Sequence, residues 1–167
     1  GLISRQLAPE AKTLVGVDIS QGMVDEYNHR VMNQGISTEE MRAVCVELKG
    51  EDGELDGARF DVIVCALAYH HFSSILQVSS ILAHFLKPGG CLLVADIMKG
   101  DEWQEVIPQE FHHVVAHTGG LSESEMREAF EGAGLQSFSF ERATTAMKHG
   151  KHVDFFIAKG TKPDGQQ

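Results

Sequence analysis

Thr13-Leu14-Val15-Gly16-Val17-Asp18-Ile19-Ser20-Gln21-Gly22-Met23 is the stretch on which the reading of the whole chain turns. An apolar run, Leu14 to Val17, ends in an acid, Asp18, and Ser20 offers a helix start directly after it. In α/β sheets that bind nucleotides, an acid at the carboxyl end of the second strand accepts hydrogen bonds from ribose hydroxyls. The glycine-rich loop that accompanies such an acid lies about 20 residues earlier. Gly1 falls where the last glycine of that loop would be. The stretch reads as half of a cofactor site, with surface helix-capping as the plainer role for Asp18.

Working outward, residues 1–7 predict a helix with Leu2, Ile3 and Leu7 as apolar positions, and Pro9 at or just past its end. The helix capped by Ser20 runs to about Asn33, with Met23, Val24, Tyr27 and Val31 as its stripe and Gly35 just beyond it. Met23 fits core and cofactor contact equally. Residues 41–48 hold a short buried strand, and residues 49–59 form a polar loop whose Glu51, Asp52, Glu54 and Asp56 are solvated. Residues 60–67 are apolar almost throughout, as a central parallel strand requires. Ser73 or Ser74 starts a helix with Ile75, Val78, Leu82 and Phe85 on one face. Lys87-Pro88-Gly89-Gly90 is a stop-and-turn signal, and residues 91–97 are a buried strand.

With one strand added in front, this order is an alternating doubly wound sheet. Residues 99–120 then read as irregular. Leu121-Ser122-Glu123-Ser124-Glu125-Met126 is a helix start with Ser122 as cap, Glu125 completing the capping box and Leu121 stapled to Met126. That helix ends near Gly132 or Gly134, and residues 136–141 and 152–159 form an antiparallel strand pair. The expectation is one α/β domain over residues 1–160 and a disordered polar tail over 161–167.

The bulk composition narrows the function. Hydrophobic residues make up 43% and charged residues 23%, as in ordinary globular domains. The formal charge is −10, from 14 Lys+Arg against 24 Asp+Glu, a field that repels phosphate backbones and argues against nucleic acid. No apolar run is long enough for a membrane span, and no signal-peptide pattern opens the chain. Cys45, Cys65 and Cys91 lie in strand-like segments without a CxxC spacing, so buried free thiols in a reducing, cytoplasmic setting are expected. A small organic molecule is the partner this composition favours.

Three motifs in order, VGVDIS with Met23, FDVIVCALAYHHF and LKPGGCLLVADI, followed by the capped helix and the strand pair, resemble class I S-adenosylmethionine-dependent methyltransferases of the small-molecule kind. The resemblance covers nearly the whole chain and implies a Rossmann-like fold, a mostly parallel sheet with an antiparallel C-terminal strand pair. It implies S-adenosyl-L-methionine as cofactor and methyl transfer to a small molecule. By the same resemblance Asp18 would bind the ribose hydroxyls, and Ile19 and Met23 would pack on adenine or ribose. Glu47 and Leu48 would flank the adenine edge, where the family more often has an Asp. Cys65, Ala66 and Leu67 would line the methionine end with His70 just beyond, and Gly1 would be the last glycine of the cofactor loop.

No strand and no GxGxG precede Gly1, so the chain is expected to be N-terminally incomplete, and the sheet edge so exposed predicts self-association or instability. His70, His71 and His117 are the candidate catalytic residues, with loop-anchoring as the alternative for the first two. His112, His113 and His117 raise a metal reading, with Glu105 and Glu110 as the nearby acids, but no HExxH is present and no metal site is expected. Substrate cover is the better role for that segment, in which Trp103, Phe111 and Val115 either meet an apolar substrate or pin the loop. Two other functions share the fold: a subunit that has lost methyl transfer and serves binding, scaffolding or other chemistry, and a nicotinamide-dependent oxidoreductase.

Overall fold

The acid-terminated run is strand β1, Leu14–Asp18, in a computed structural model that describes residues 1–100, 115–148 and 151–165. The chain divides into two units, Gly1–Lys49 and Gly50–Gln167.

In the first unit, helix α1 (Leu2–Leu7) passes into a 3-10 turn, Ala8–Glu10, that carries Pro9 in its first turn, where a missing N–H costs nothing. After β1, the Ser20 hydroxyl accepts the Met23 N–H at 3.4 Å and opens helix α2 (Gln21–Asn33). Strand β2 (Met41–Cys45) pairs in parallel with β1, from Leu14 opposite Met41 to Asp18 opposite Cys45. Asn28 ties α2 to β2: its Nδ2 donates to the Ala43 carbonyl at 3.0 Å, and its Oδ1 accepts the Ala43 N–H at 2.8 Å. Val24 and Val31 from α2 and Met41 and Ala43 from β2 are the buried apolar residues here. Met23 is 59% exposed, which removes the core role its place in the stripe allowed.

The second unit contains β3 (Phe60–Ala66), α3 (Ile75–His84), β4 (Leu86–Ile97), α4 (Glu123–Gly132), β5 (Gln136–Lys148) and β6 (Lys151–Thr161). Its sheet runs in the order β3-β4-β6-β5, with β3 and β4 parallel and β6 antiparallel to both β4 and β5. Ile75, Val78 and Leu82 of α3 and Met126 and Phe130 of α4 pack onto one face, against Leu92, Val94 and Phe156. The Ser122–Glu125 capping box forms as its spacing predicts, and Leu121 and Met126 are fully buried.

Four expectations need correction. Strand β3 is not central in this sheet: it is an edge among the described residues, and Val62 and Val64, 51% and 38% exposed, show that its second face is open. Strand β4 begins at Leu86, not after the turn, and accommodates Lys87 to Gly90 through a register shift against β3. Only glycine fits at Gly90, because a Cβ there would lie 2.9 Å from the Asp61 and Lys87 carbonyl oxygens. Cys45 is exposed, because it ends β2 at the open end of a two-stranded sheet, whereas Cys65 and Cys91 are partly buried. Residue 161, expected to open the polar tail, still belongs to a strand. Thr161 ends β6, and Lys162 Nζ donates to the carbonyls of Ala83, Leu86 and His84 at 2.8, 2.9 and 3.4 Å, capping the end of α3.

Candidate functional site

In the first unit the proposed cofactor residues gather where β1 and β2 end. Asp18 is exposed, and its Oδ1 accepts the Ser20 N–H at 2.8 Å, which fixes the carboxylate without burying it. The Asp18 carbonyl accepts the Val46 N–H at 3.1 Å, so the chain leaving β2 toward Glu47 and Leu48 starts beside it. Ile19, 77% exposed, and Met23 present bare apolar surface next to that acid. The Cys45 thiol donates to the Ile19 carbonyl at 3.4 Å and holds the turn. Glu47 is exposed and Leu48 half-buried. Gly1 faces something else: a Cβ on it would lie 3.0 Å from the Tyr27 ring, and Tyr27 carries a buried hydroxyl with no partner among the described residues. A cavity of about 350 Å³ lined by Gly1, Leu2, Arg5, Tyr27 and Arg30 contains none of the other proposed site residues.

In the second unit the carboxyl ends of β3 and β4 bring together Cys65, Ala66, Leu67, His70 and a residue the sequence reading passed over, Asp96. Leu67 leaves β3 with φ +53°, the left-handed region that a leucine rarely adopts, and its N–H donates to the Ala95 carbonyl at 2.8 Å. The chain then turns through Tyr69–His71. Asp96 is fully buried and takes three donors: His70 Nδ1 at 2.7 Å, the His70 N–H at 3.2 Å and the Ile97 N–H at 2.7 Å. Burial pushes the Cys65 thiol up to about 12, and the negative charge of Asp96 adds to the effect, so Cys65 is no nucleophile near neutral pH. Burial also raises the Tyr69 phenol, whose hydroxyl pairs with Ser79 at 3.1 Å.

The His71 ring lies against that of His70, with centroids 4.2 Å apart and the planes tilted by 36°. His117 comes to the same place: its N–H donates to the His70 carbonyl at 2.9 Å, and its Nε2 lies 3.1 Å from the Phe72 carbonyl. All three candidate histidines therefore share one corner of this unit. Val115 is buried in a small cluster with Ile97, Val153 and Phe155. Trp103, Glu105, Glu110, Phe111, His112 and His113 lie outside the described residues. Among the described residues no group of His, Cys, Asp and Glu could hold a metal ion.

The sequence signal for Asp96 was present. An acid inside the apolar run Leu92-Leu93-Val94-Ala95-Asp96-Ile97 must find a partner if the strand is buried. His70, at the end of the adjacent strand, is that partner.

A family model described as a methyltransferase domain matches residues 1–90. An uncharacterized methyltransferase of Schizosaccharomyces pombe is 38% identical over 143 residues, which is 82% of this chain and 50% of that protein. A demethylmenaquinone methyltransferase of Bacteroides fragilis is 30% identical over 104 residues, 61% of this chain and 40% of that protein. The chain thus spans half or less of the length of these curated relatives. Among solved structures, the phosphoethanolamine N-methyltransferase 2 of Haemonchus contortus in complex with S-adenosyl-L-methionine superposes with a TM-score of 0.68 at 16% identity, over 96% of this chain and 46% of that one. At that identity the likeness speaks for the fold, which is Rossmann-like.

Proposed function

The chain belongs to the methyltransferase domain family, and from that premise we propose that it is a class I S-adenosylmethionine-dependent methyltransferase acting on a small organic molecule in the cytoplasm. The observation that carries the reading is Asp18: an exposed carboxylate at the end of a parallel strand, anchored through one oxygen by Ser20, with bare Ile19 and Met23 beside it. That acceptor with its apolar neighbours fits an adenosine, whose ribose hydroxyls need an acceptor and whose base needs apolar cover. Glu47 and Leu48 flank the adenine edge. Cys65, Ala66, Leu67 and His70 take the methionine end. S-adenosylmethionine supplies an activated methyl group when bound. The residues' work is to orient the acceptor, exclude water and take a proton where the acceptor has one to lose.

A small acceptor agrees with the charge of −10, which disfavours a nucleic acid, and with the Bacteroides relative, whose name specifies a quinone. No described helix is long and apolar enough to cross a membrane. The test is calorimetric titration of the full-length protein with S-adenosylhomocysteine. Asp18→Ala is expected to weaken binding roughly 10- to 100-fold, the equivalent of a hydrogen bond to a charged group. Silence from the full-length protein would move the assignment to a scaffold or to other chemistry, and binding of a reduced nicotinamide instead would make it an oxidoreductase.

A further inference from the structure

We propose that Asp96 is a positioning residue that holds His70 in the Nδ1–H tautomer, leaving Nε2 to take the proton from a methyl acceptor with an O–H or N–H nucleophile. The assignment rests on the methyltransferase reading above and names the acceptor class for it.

Asp96 has no exposed surface, and a buried carboxylate persists only where donors satisfy it. Two of its three donors belong to His70 and use different oxygens: the ring Nδ1 on Oδ1 and the backbone N–H on Oδ2. A loop anchor needs only the backbone bond. The second bond fixes the ring, because a carboxylate accepts and Nδ1 must therefore carry the proton. The His117 N–H on the His70 carbonyl and the His71 ring at 4.2 Å hold the residue from two further sides. Nε2 is the nitrogen that remains, and it has no hydrogen-bond partner among the described residues. Cys65, Tyr69 and His117 do not compete for that proton. The Cys65 thiol and the Tyr69 phenol are buried and stay protonated, and His117 turns Nε2 to the Phe72 carbonyl.

The balance is simple. With S-adenosylmethionine bound, the acceptor's lone pair would form the new bond to the methyl carbon while the C–S electron pair would stay on sulfur. The acceptor atom sheds its proton to His70 Nε2. The imidazolium, faced by the Asp96 carboxylate, passes that proton to water.

The experiment uses the full-length protein with 15N-labelled histidine. Two-bond proton–nitrogen spectra read the tautomer of His70, with His70→Gln identifying its signals. The probes are S-adenosylhomocysteine and sinefungin, an analogue bearing an amine where the transferred methyl group would be. The Nδ1–H tautomer is expected, with a larger Nε2 shift on sinefungin than on S-adenosylhomocysteine. Asp96→Asn should remove both the tautomer preference and that difference. Should Asp96→Asn not fold, His70→Gln must still lower the affinity ratio of sinefungin to S-adenosylhomocysteine about tenfold. A purely structural pair would respond equally to the two probes. Equal Nε2 shifts, or an Nε2–H tautomer, overturn the assignment while leaving cofactor binding intact. Absence of calorimetric binding by either probe overturns the cofactor reading itself, and the base role with it.

Discussion

Residues Gly1–Lys49 and Gly50–Gln167 each join parallel strands to Ser-capped helices, yet they bury very different amounts of apolar surface. In the first unit Val24, Val31, Met41 and Ala43 are enclosed between one helix and two strands. In the second, Tyr69, Phe130 and Phe156 are sealed with a set of aliphatics between two helices and four strands. Local rules thus suffice to form a strand and a capped helix. Stability comes from the next layer, and a two-stranded sheet is marginal without one. The first unit also carries the Tyr27 hydroxyl, buried with no partner among the described residues.

Core truncation probes this contrast most strongly. Phe156 is fully buried and stacks on Phe140 with centroids 4.5 Å apart. Phe156→Ala is expected to lower stability by about 3–5 kcal/mol. Val31→Ala in the first unit should cost about 1.5–3 kcal/mol at most. Denaturant midpoints measure both, and equal losses would end the comparison. Caps come next. Ser122→Ala dismantles a reciprocal capping box and should cost about 1 kcal/mol, against about 0.5 kcal/mol for Ser20→Ala, whose bond to Met23 is a long 3.4 Å on an exposed turn. The smallest effect sharpens the picture. Tyr27→Phe removes a hydroxyl with no partner among the described residues and should be neutral or stabilising by about 0.5 kcal/mol, seen as an unchanged or slightly raised Tm. A marked loss would mean that the hydroxyl has a partner in solution.

What could be read from sequence follows the same division between local and long-range causes. Ser20, Ser122 and Glu125 act within one helical turn, so their roles were visible in the residues themselves. The end of β1 at Asp18 was visible for the same reason. The apolarity of residues 60–66 implied cover on both faces, but Val62 and Val64 are open, since strand composition records what a sheet can accept rather than which neighbours it has. The pairing of His70 with Asp96 depends on the β3–β4 register, and the two residues are 26 positions apart. The left-handed Leu67 could not be foreseen either, as leucine has no preference for that backbone. Hence the acid that ends β1 was legible from its flanks, and the pairing of His70 with Asp96 only from the fold.

Strand β6 lies inside its sheet, between β4 and β5, although it follows both in the chain. During synthesis the sheet therefore waits with a gap in it. The edges of β4 and β5 stay unpaired, and the end of α3 uncapped, until residues through Lys162 have left the ribosome. At about 5–20 residues per second, that wait from the end of β4 spans several seconds. In that interval the nascent chain offers a strand-shaped opening to any neighbouring chain, and a chaperone that shields it would raise the yield of folded protein.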